Sequence, residues 1–161
     1  MSVAFTREES AETAAAVELP DRPISPHPNL VTQSGLKALD AAMAAARAAY
    51  HATQQIEDLN ERRNAVAAAS RDMRYFAERL RTAQLMPDPA ERDRVAFGSR
   101  VTFVRDGGGR PQTFRIVGED EADPRAGSIS YVSPVARGLI DATVGDRVVV
   151  GDREIEVLAV D

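Results

Sequence analysis

The 161-residue chain contains no cysteine and no tryptophan, has only two histidines, and is 5% aromatic. Without cysteine there is neither a disulfide scaffold nor a cysteine-based zinc site, which fits a reducing compartment. His27 and His51 lie far from each other and from any ligand spacing, so neither is read as a metal ligand. No apolar run approaches the ~20 residues needed to cross a bilayer, and Met1 to Glu9 lacks a basic stretch followed by an apolar core. A soluble, cytoplasmic protein with no membrane partner is expected. The net charge of -5 argues against nonspecific coating of nucleic acid by the whole molecule, so any such contact must be local.

The length allows one ordinary domain or two small ones. Residues 1–31 are rich in Glu, Ala, Ser and Pro, and Pro20, Pro23, Pro26 and Pro28 deny them regular hydrogen bonding; a disordered acidic tail is expected. Residues 32–86 then carry two apolar seams. Leu36, Leu39, Met43, Ala46, Tyr50 and Thr53 recur at alternating steps of three and four, and Val66, Ala69, Met73, Phe76, Leu80 and Ala83 repeat the pattern. Two helices folded back on each other as an antiparallel coiled coil, about 30 Å long at 1.5 Å per residue, satisfy both seams. If the seams pair symmetrically, the fold-back lies between Leu59 and Asn60. Asp58 and Glu61 then stand side by side at the tip, in Glu57-Asp58-Leu59-Asn60-Glu61. The plain alternative is a helix turn that carries charge because it is solvated.

Thr32 to Gly35 offers caps for the first helix, and the second is expected to stop near Leu85, ahead of Pro87 and Pro89. Residues 87–94 read as a linker. From Val95 the pattern turns to short β-rich runs. Val95 to Val104 and Gln112 to Val117 flank the turn Arg105 to Arg110; its three glycines are followed by neither Lys-Ser/Thr nor a helix, so a phosphate cradle is not indicated. Ile129 to Val132, Val148 to Val150 and Ile155 to Val160 read as further strands, and Ser133-Pro134 as the capped start of a short helix through Ile140. The fold class is α+β, with a bent sheet and one short helix in residues 95–161.

On the second helix, Arg71, Arg74, Glu78 and Arg81 share one stripe, which suits RNA or protein carboxylates as well as it suits a solvated flank. Glu119 to Asp123 reads as a solvated acidic loop.

The phrases Phe114-Arg-Ile-Val-Gly-Glu-Asp-Glu-Ala-Asp123, Ser128-Ile-Ser130, Ser133-Pro-Val-Ala-Arg-Gly-Leu-Ile140 and Val144-Gly-Asp146 closely resemble the C-terminal domain of GreA/GreB transcript cleavage factors. Thr32-x-x-Gly35-Leu36-x-x-Leu39 is similar to the family's first-helix entry, so the resemblance spans Thr32 to Val160. It implies an FKBP-like domain over residues 95–161 that docks on bacterial RNA polymerase, with Ser133 and Pro134 as contacts. It also implies a hairpin that enters the polymerase secondary channel. Against the family's Asp-Leu-Lys-Glu tip, Asp58-Leu59-Asn60-Glu61 keeps the two acids and has Asn60 in place of Lys, and the resemblance implies that the two acids help hold a Mg²⁺ shared with the polymerase active site. Arg62, Arg63, Arg71 and Arg74 are then candidates for contact with the nascent RNA 3′ end or the channel wall.

The expected function is therefore that of a monomeric elongation factor, not itself an enzyme, which stimulates RNA polymerase to cleave backtracked RNA. The arms are shorter than the family's by roughly one helical turn, about 5 Å each, and Arg62-Arg63 follow the acids where the family continues differently. Those departures motivate an alternative, a channel-occupying regulator that does not stimulate cleavage. Prolyl isomerase activity, suggested by an FKBP-like fold alone, is set aside because fold does not transfer function.

Overall fold

The computed structural model describes residues 18–161, so residues 1–17 of the expected tail lie outside it. In chain order the elements are β1 (Leu30–Val31), α1 (Gln33–Ala52), a 3₁₀ turn (Thr53–Gln55), α2 (Leu59–Thr82), β2 (Gln84–Leu85), β3 (Arg100–Arg105), β4 (Gln112–Val117), a 3₁₀ turn (Pro124–Ala126), β5 (Ser128–Ser130), α3 (Pro134–Leu139), β6 (Arg147–Val150) and β7 (Arg153–Val160). The helical part is N-terminal and the main sheet C-terminal, in a mixed α+β architecture.

α1 and α2 pack against each other. On α1 the buried positions Leu39 and Ala46 continue to buried Thr53, with Leu36, Met43 and Tyr50 half-buried between them. On α2 Ala69 is buried, and Val66, Met73, Phe76 and Leu80 are half-buried. Seven-residue spacing on α1 keeps one stripe against its neighbour, and alanine at 46 and 69 permits close approach.

The bases of the two helices are tied by a two-stranded parallel pairing, Leu30 opposite Gln84 and Val31 opposite Leu85. Its bonds run from the Gln84 amide to the Asn29 carbonyl at 2.8 Å and from the Met86 amide to the Val31 carbonyl at 2.9 Å. This pairing ends α2 at Thr82, three residues before the expected stop, because residues 84–85 turn extended to bond with β1.

The segment before β1 also departs from expectation. Residues 18–31 were expected to belong to a disordered tail, yet residues 21–31 run along α2 and are pinned there. The Arg22 guanidinium lies 3.8 Å from the centre of the Tyr75 ring and 3.3 Å from Asp72, and Asp21 pairs with Arg74 at 2.6 Å. Buried Asn29 donates to the Arg79 carbonyl at 2.7 Å, and the Tyr131 hydroxyl donates to the Pro28 carbonyl at 2.5 Å. Over residues 20–28 the prolines prevent helix and sheet but leave side chains free to dock.

The five-stranded sheet has the order β5-β4-β3-β7-β6; β4 and β5 are parallel and the other neighbours antiparallel. The β3–β7 register shifts between Thr102 and Phe103, the local irregularity that bends a sheet. Phe103, Ile116, Val101, Ile155 and Val157 alternate inward and pack with Leu139 and Ala136 of α3. β4 has the expected bounds. β3 starts at Arg100 rather than Val95, because Gly98 adopts φ 91° and Ser99 closes a turn back to Ala96. Val95 is still fully buried, its amide and carbonyl bonded to Ala142 and Asp141.

Candidate functional site

The tip is built by two helix ends. The Thr53 hydroxyl donates to the Tyr50 carbonyl at 2.6 Å, and Ile56 turns extended with φ -78° and ψ 121°. Asp58, also extended, is the N-cap of α2, and its Oδ1 accepts from the Glu61 amide at 2.7 Å. The fold-back therefore occupies residues 53–58, not the Leu59–Asn60 junction that seam symmetry suggests. Caps, rather than seam symmetry, decide where a helix begins. Asp58 and Glu61 lie in one turn of the same helix, at the cap and the third helical position, the spacing of a capping box. Both acids are exposed, as are Glu57 and Leu59.

The helix start stabilises both charges, since unpaired amides and the positive end of the helix dipole face them. Asp58 thus has a structural role that can be separated from any chemical one. Asp58→Ala is expected to cost about 1 kcal/mol of stability and Asp58→Asn only a few tenths, because asparagine caps as well as aspartate. Urea unfolding of both variants reads this difference directly.

Arg62 does not point outward. Its Nε donates to the Ile56 carbonyl at 2.7 Å and its terminal nitrogen reaches the same oxygen, so the guanidinium staples the turn. Arg63 and Arg71 are half-buried, with Arg71 3.8 Å from Asp72, and Arg74 is engaged by Asp21. Arg81 forms a two-pronged pair with Glu78. The arginine stripe is thus largely committed to ion pairs within the chain. In α3, the Ser133 hydroxyl accepts from the Ala136 amide at 3.2 Å, and Pro134 is exposed at the first helical position.

A second constellation lies at the base of the arm, where Glu119 to Asp123 was expected to be solvated. Asp120 accepts from Tyr75 Oη and from Arg79 Nε, each at 2.5 Å. The Arg79 side chain is only 2% exposed and that of Asp120 18%. A buried guanidinium without a partner costs several kcal/mol, which Asp120 offsets. Glu121 accepts from the Thr32 and Ser34 hydroxyls at 2.6 Å each, beside the N-terminus of α1. Sequence reasoning missed both contacts. The legible signal was Tyr75 and Arg79 at i and i+4, an aromatic hydroxyl and a guanidinium on one helix face beside the seam.

Burial first, and then the hydrogen bond to Asp120, push the Tyr75 phenol up to about 12. Tyr131 is also raised, by burial and then by the nearby Glu119 carboxylate. A phenol whose folded pKa lies above its unfolded value stabilises the fold fully below about pH 10, and that contribution is lost as pH rises through the folded pKa. The parent is expected to lose stability more steeply from pH 10 to 12 than Tyr75→Phe. Equal slopes in urea unfolding at pH 9, 10 and 11 would contradict the assignment.

Residues 89–161 match the family model "Transcription elongation factor, GreA/GreB, C-term". Transcription elongation factor GreA of Alkalilimnicola ehrlichii is 40% identical over 118 residues, which span 64% of this chain and 73% of that one. The chain belongs to the GreA/GreB family. Transcription elongation factor GreB of Neisseria meningitidis serogroup A is 45% identical to this family member over 98 residues, 56% of the chain, which spans 59% of that relative's length. Among solved structures, GreA factor homolog 1 (Gfh1) of Thermus thermophilus aligns at 19% identity and a TM-score of 0.39, covering 84% of this chain and 99% of that one.

The donor set of this GreA/GreB family member bears on whether the tip can hold Mg²⁺. Among the described residues no cluster of three or more His, Cys, Asp or Glu side chains can hold a metal ion. Asp58 and Glu61 offer two exposed carboxylates, with one Asp58 oxygen already accepting an amide. Mg²⁺ prefers six oxygen ligands, keeps several waters and accepts one or two carboxylates. The pair therefore fits a partial donor set and does not by itself complete a Mg²⁺ site. No helix among the described residues is long and apolar enough to cross a membrane.

Proposed function

We propose that this elongation factor binds bacterial RNA polymerase and stimulates its cleavage of backtracked RNA, with Asp58 and Glu61 as donated acids. The observation that carries the reading is the exposed acidic pair in the first turn of α2, at the far end of a long helical arm, in a chain of the GreA/GreB family. The arm serves as an antiparallel coiled coil that enters the secondary channel. The sheet domain, FKBP-like in this reading, docks at the channel rim through Ser133 and Pro134. The protein supplies no active site of its own.

In the complex, Mg²⁺ supplies Lewis-acid stabilisation and an activated water for phosphodiester hydrolysis. The chain's own contribution is geometric. The Asp58 cap and the Arg62 staple hold the turn, so that the backbone carrying the two carboxylates is ordered before binding. Arg74 lines the approach to the RNA 3′ end once Asp21 is displaced, and Arg63 lies on the same helix nearer the tip.

The test is RNA cleavage in a halted, backtracked elongation complex, with binding to polymerase measured separately. Parent protein is expected to accelerate cleavage. The Asp58→Asn/Glu61→Gln double variant, which keeps the cap, is expected to bind equally and to lose the acceleration. Equal cleavage by parent and variant would remove the acids from the mechanism. Binding by the parent without any cleavage would instead favour a regulator that occupies the channel, for which the commitment of Asp58 to its cap is the supporting observation.

A further inference from the structure

We propose that Asp120 and Glu121 are positioning residues which fix the direction of the acidic tip relative to the sheet domain. The inference rests on the functional reading above for its purpose, but on contacts at the opposite end of the arm for its argument.

The two carboxylates are consecutive in sequence and grip different helices. Asp120 holds Tyr75 and Arg79 near the end of α2, and Glu121 holds Thr32 and Ser34 at the start of α1. A single anchor would leave the arm free to pivot. Two anchors, one on each helix and all four bonds at 2.5–2.6 Å, restrain swing as well as rotation. Backbone contacts are built to let the loop in. A Cβ at Gly35 would stand 2.6 Å from Glu121 Oε2, so a side chain there would shift the carboxylate end from its present position. The residue just before the acidic run, Gly118, approaches β1 so closely that a Cβ there would lie 2.3 Å from the Leu30 carbonyl oxygen. A third hold is the Tyr131 hydroxyl, which donates to the Pro28 carbonyl at 2.5 Å and so ties the sheet domain to the segment whose Arg22 stacks on the same Tyr75 that Asp120 accepts from.

Lever geometry makes this matter. Arg79 is 21 residues from Asp58, or about 30 Å along α2 at 1.5 Å per residue. A pivot of about 10° at the base moves the tip by about 5 Å, whereas misplacing a reacting group by about 1 Å can cost about a hundredfold in rate. A loop far from the chemistry therefore governs whether the acids arrive where they are needed.

The chain has no cysteine, so two introduced ones can carry spin labels without background. Ala52→Cys near the tip and Val149→Cys on β6, the latter 71% exposed, report the angle between arm and sheet in the full chain. The parent pair is expected to give one narrow distance distribution. Asp120→Asn and the milder Tyr75→Phe/Glu121→Gln, which leaves the buried Arg79–Asp120 pair in place, are both expected to broaden it. In the halted-complex assay the milder variant is expected to bind polymerase as the parent does and to cleave about tenfold or more slowly. A distribution that stays narrow in the milder variant overturns the proposal, and so does faster cleavage, which would make the loop a restraint on activity. If the parent itself does not cleave, the functional reading fails, yet the distance distributions still decide whether the two acids set the arm.

Discussion

Asp120→Ala is expected to destabilise the protein by about 3–5 kcal/mol, the cost of leaving a buried charge without its partner. Arg79 is among the largest fully buried side chains, and no other carboxylate is paired with it among the described residues. Removing Asp120 also strips the acceptor from Tyr75 Oη. Because the penalty belongs to the orphaned guanidinium, Arg79→Met combined with Asp120→Ala is expected to recover much of it, since methionine retains apolar bulk. Urea unfolding of the two single variants and the double variant measures the coupling. A loss below about 1 kcal/mol for Asp120→Ala would place the pair with ordinary surface ion pairs.

Gly118→Ala is expected to be strongly destabilising, since an added Cβ there makes the shortest contact found at any glycine among the described residues. Its φ is not in the left-handed region, so backbone strain is not the cause. The cause is steric, because the added carbon would meet the Leu30 carbonyl oxygen at 2.3 Å, and that oxygen belongs to backbone that cannot rotate away. Either β1 or the end of β4 must move. The expected cost is about 1–3 kcal/mol, in the range of overpacked cores. Gly108→Ala is the matched control, with nothing within 4 Å of the added carbon and no positive φ, and is expected to stay within about 0.5 kcal/mol of the parent. Similar costs at both sites would mean that the close approach of β1 to β4 does not stabilise the fold.

Both predictions concern a junction that sequence pattern did not reveal, and the reason is physical. Periodicity reports which face of an element is buried, so Leu39, Ala46 and Ala69 were legible on the helices, as were the bounds of β4. Ser133-Pro134 was equally legible, since N-cap and first-turn proline preferences act locally. The fold-back was misplaced because the arms are unequal, α1 with 20 residues and α2 with 24, and because the Asp58 cap rather than seam symmetry sets the start of α2. β1 and β2 are two residues each and pair across more than fifty positions, too short to show any period. Glu119 to Asp123 has the composition of a solvated loop. Only the fold brings Arg79 and the α1 start to it, and a run of carboxylates does not disclose which of its members will meet a buried cation. For Asp58 and Glu61 the residue pattern and the family resemblance selected the same two acids, while the cap bond between them came from the structure.

The most direct test of the tip acids is the Mg²⁺ dependence of cleavage in a halted, backtracked complex at saturating factor. Carboxylates that complete a Mg²⁺ site are expected to lower the concentration giving half-maximal rate, and the Asp58→Asn/Glu61→Gln variant is expected to return it to the value of polymerase alone. An identical Mg²⁺ dependence for polymerase alone, parent and variant would contradict the assignment of these acids to metal.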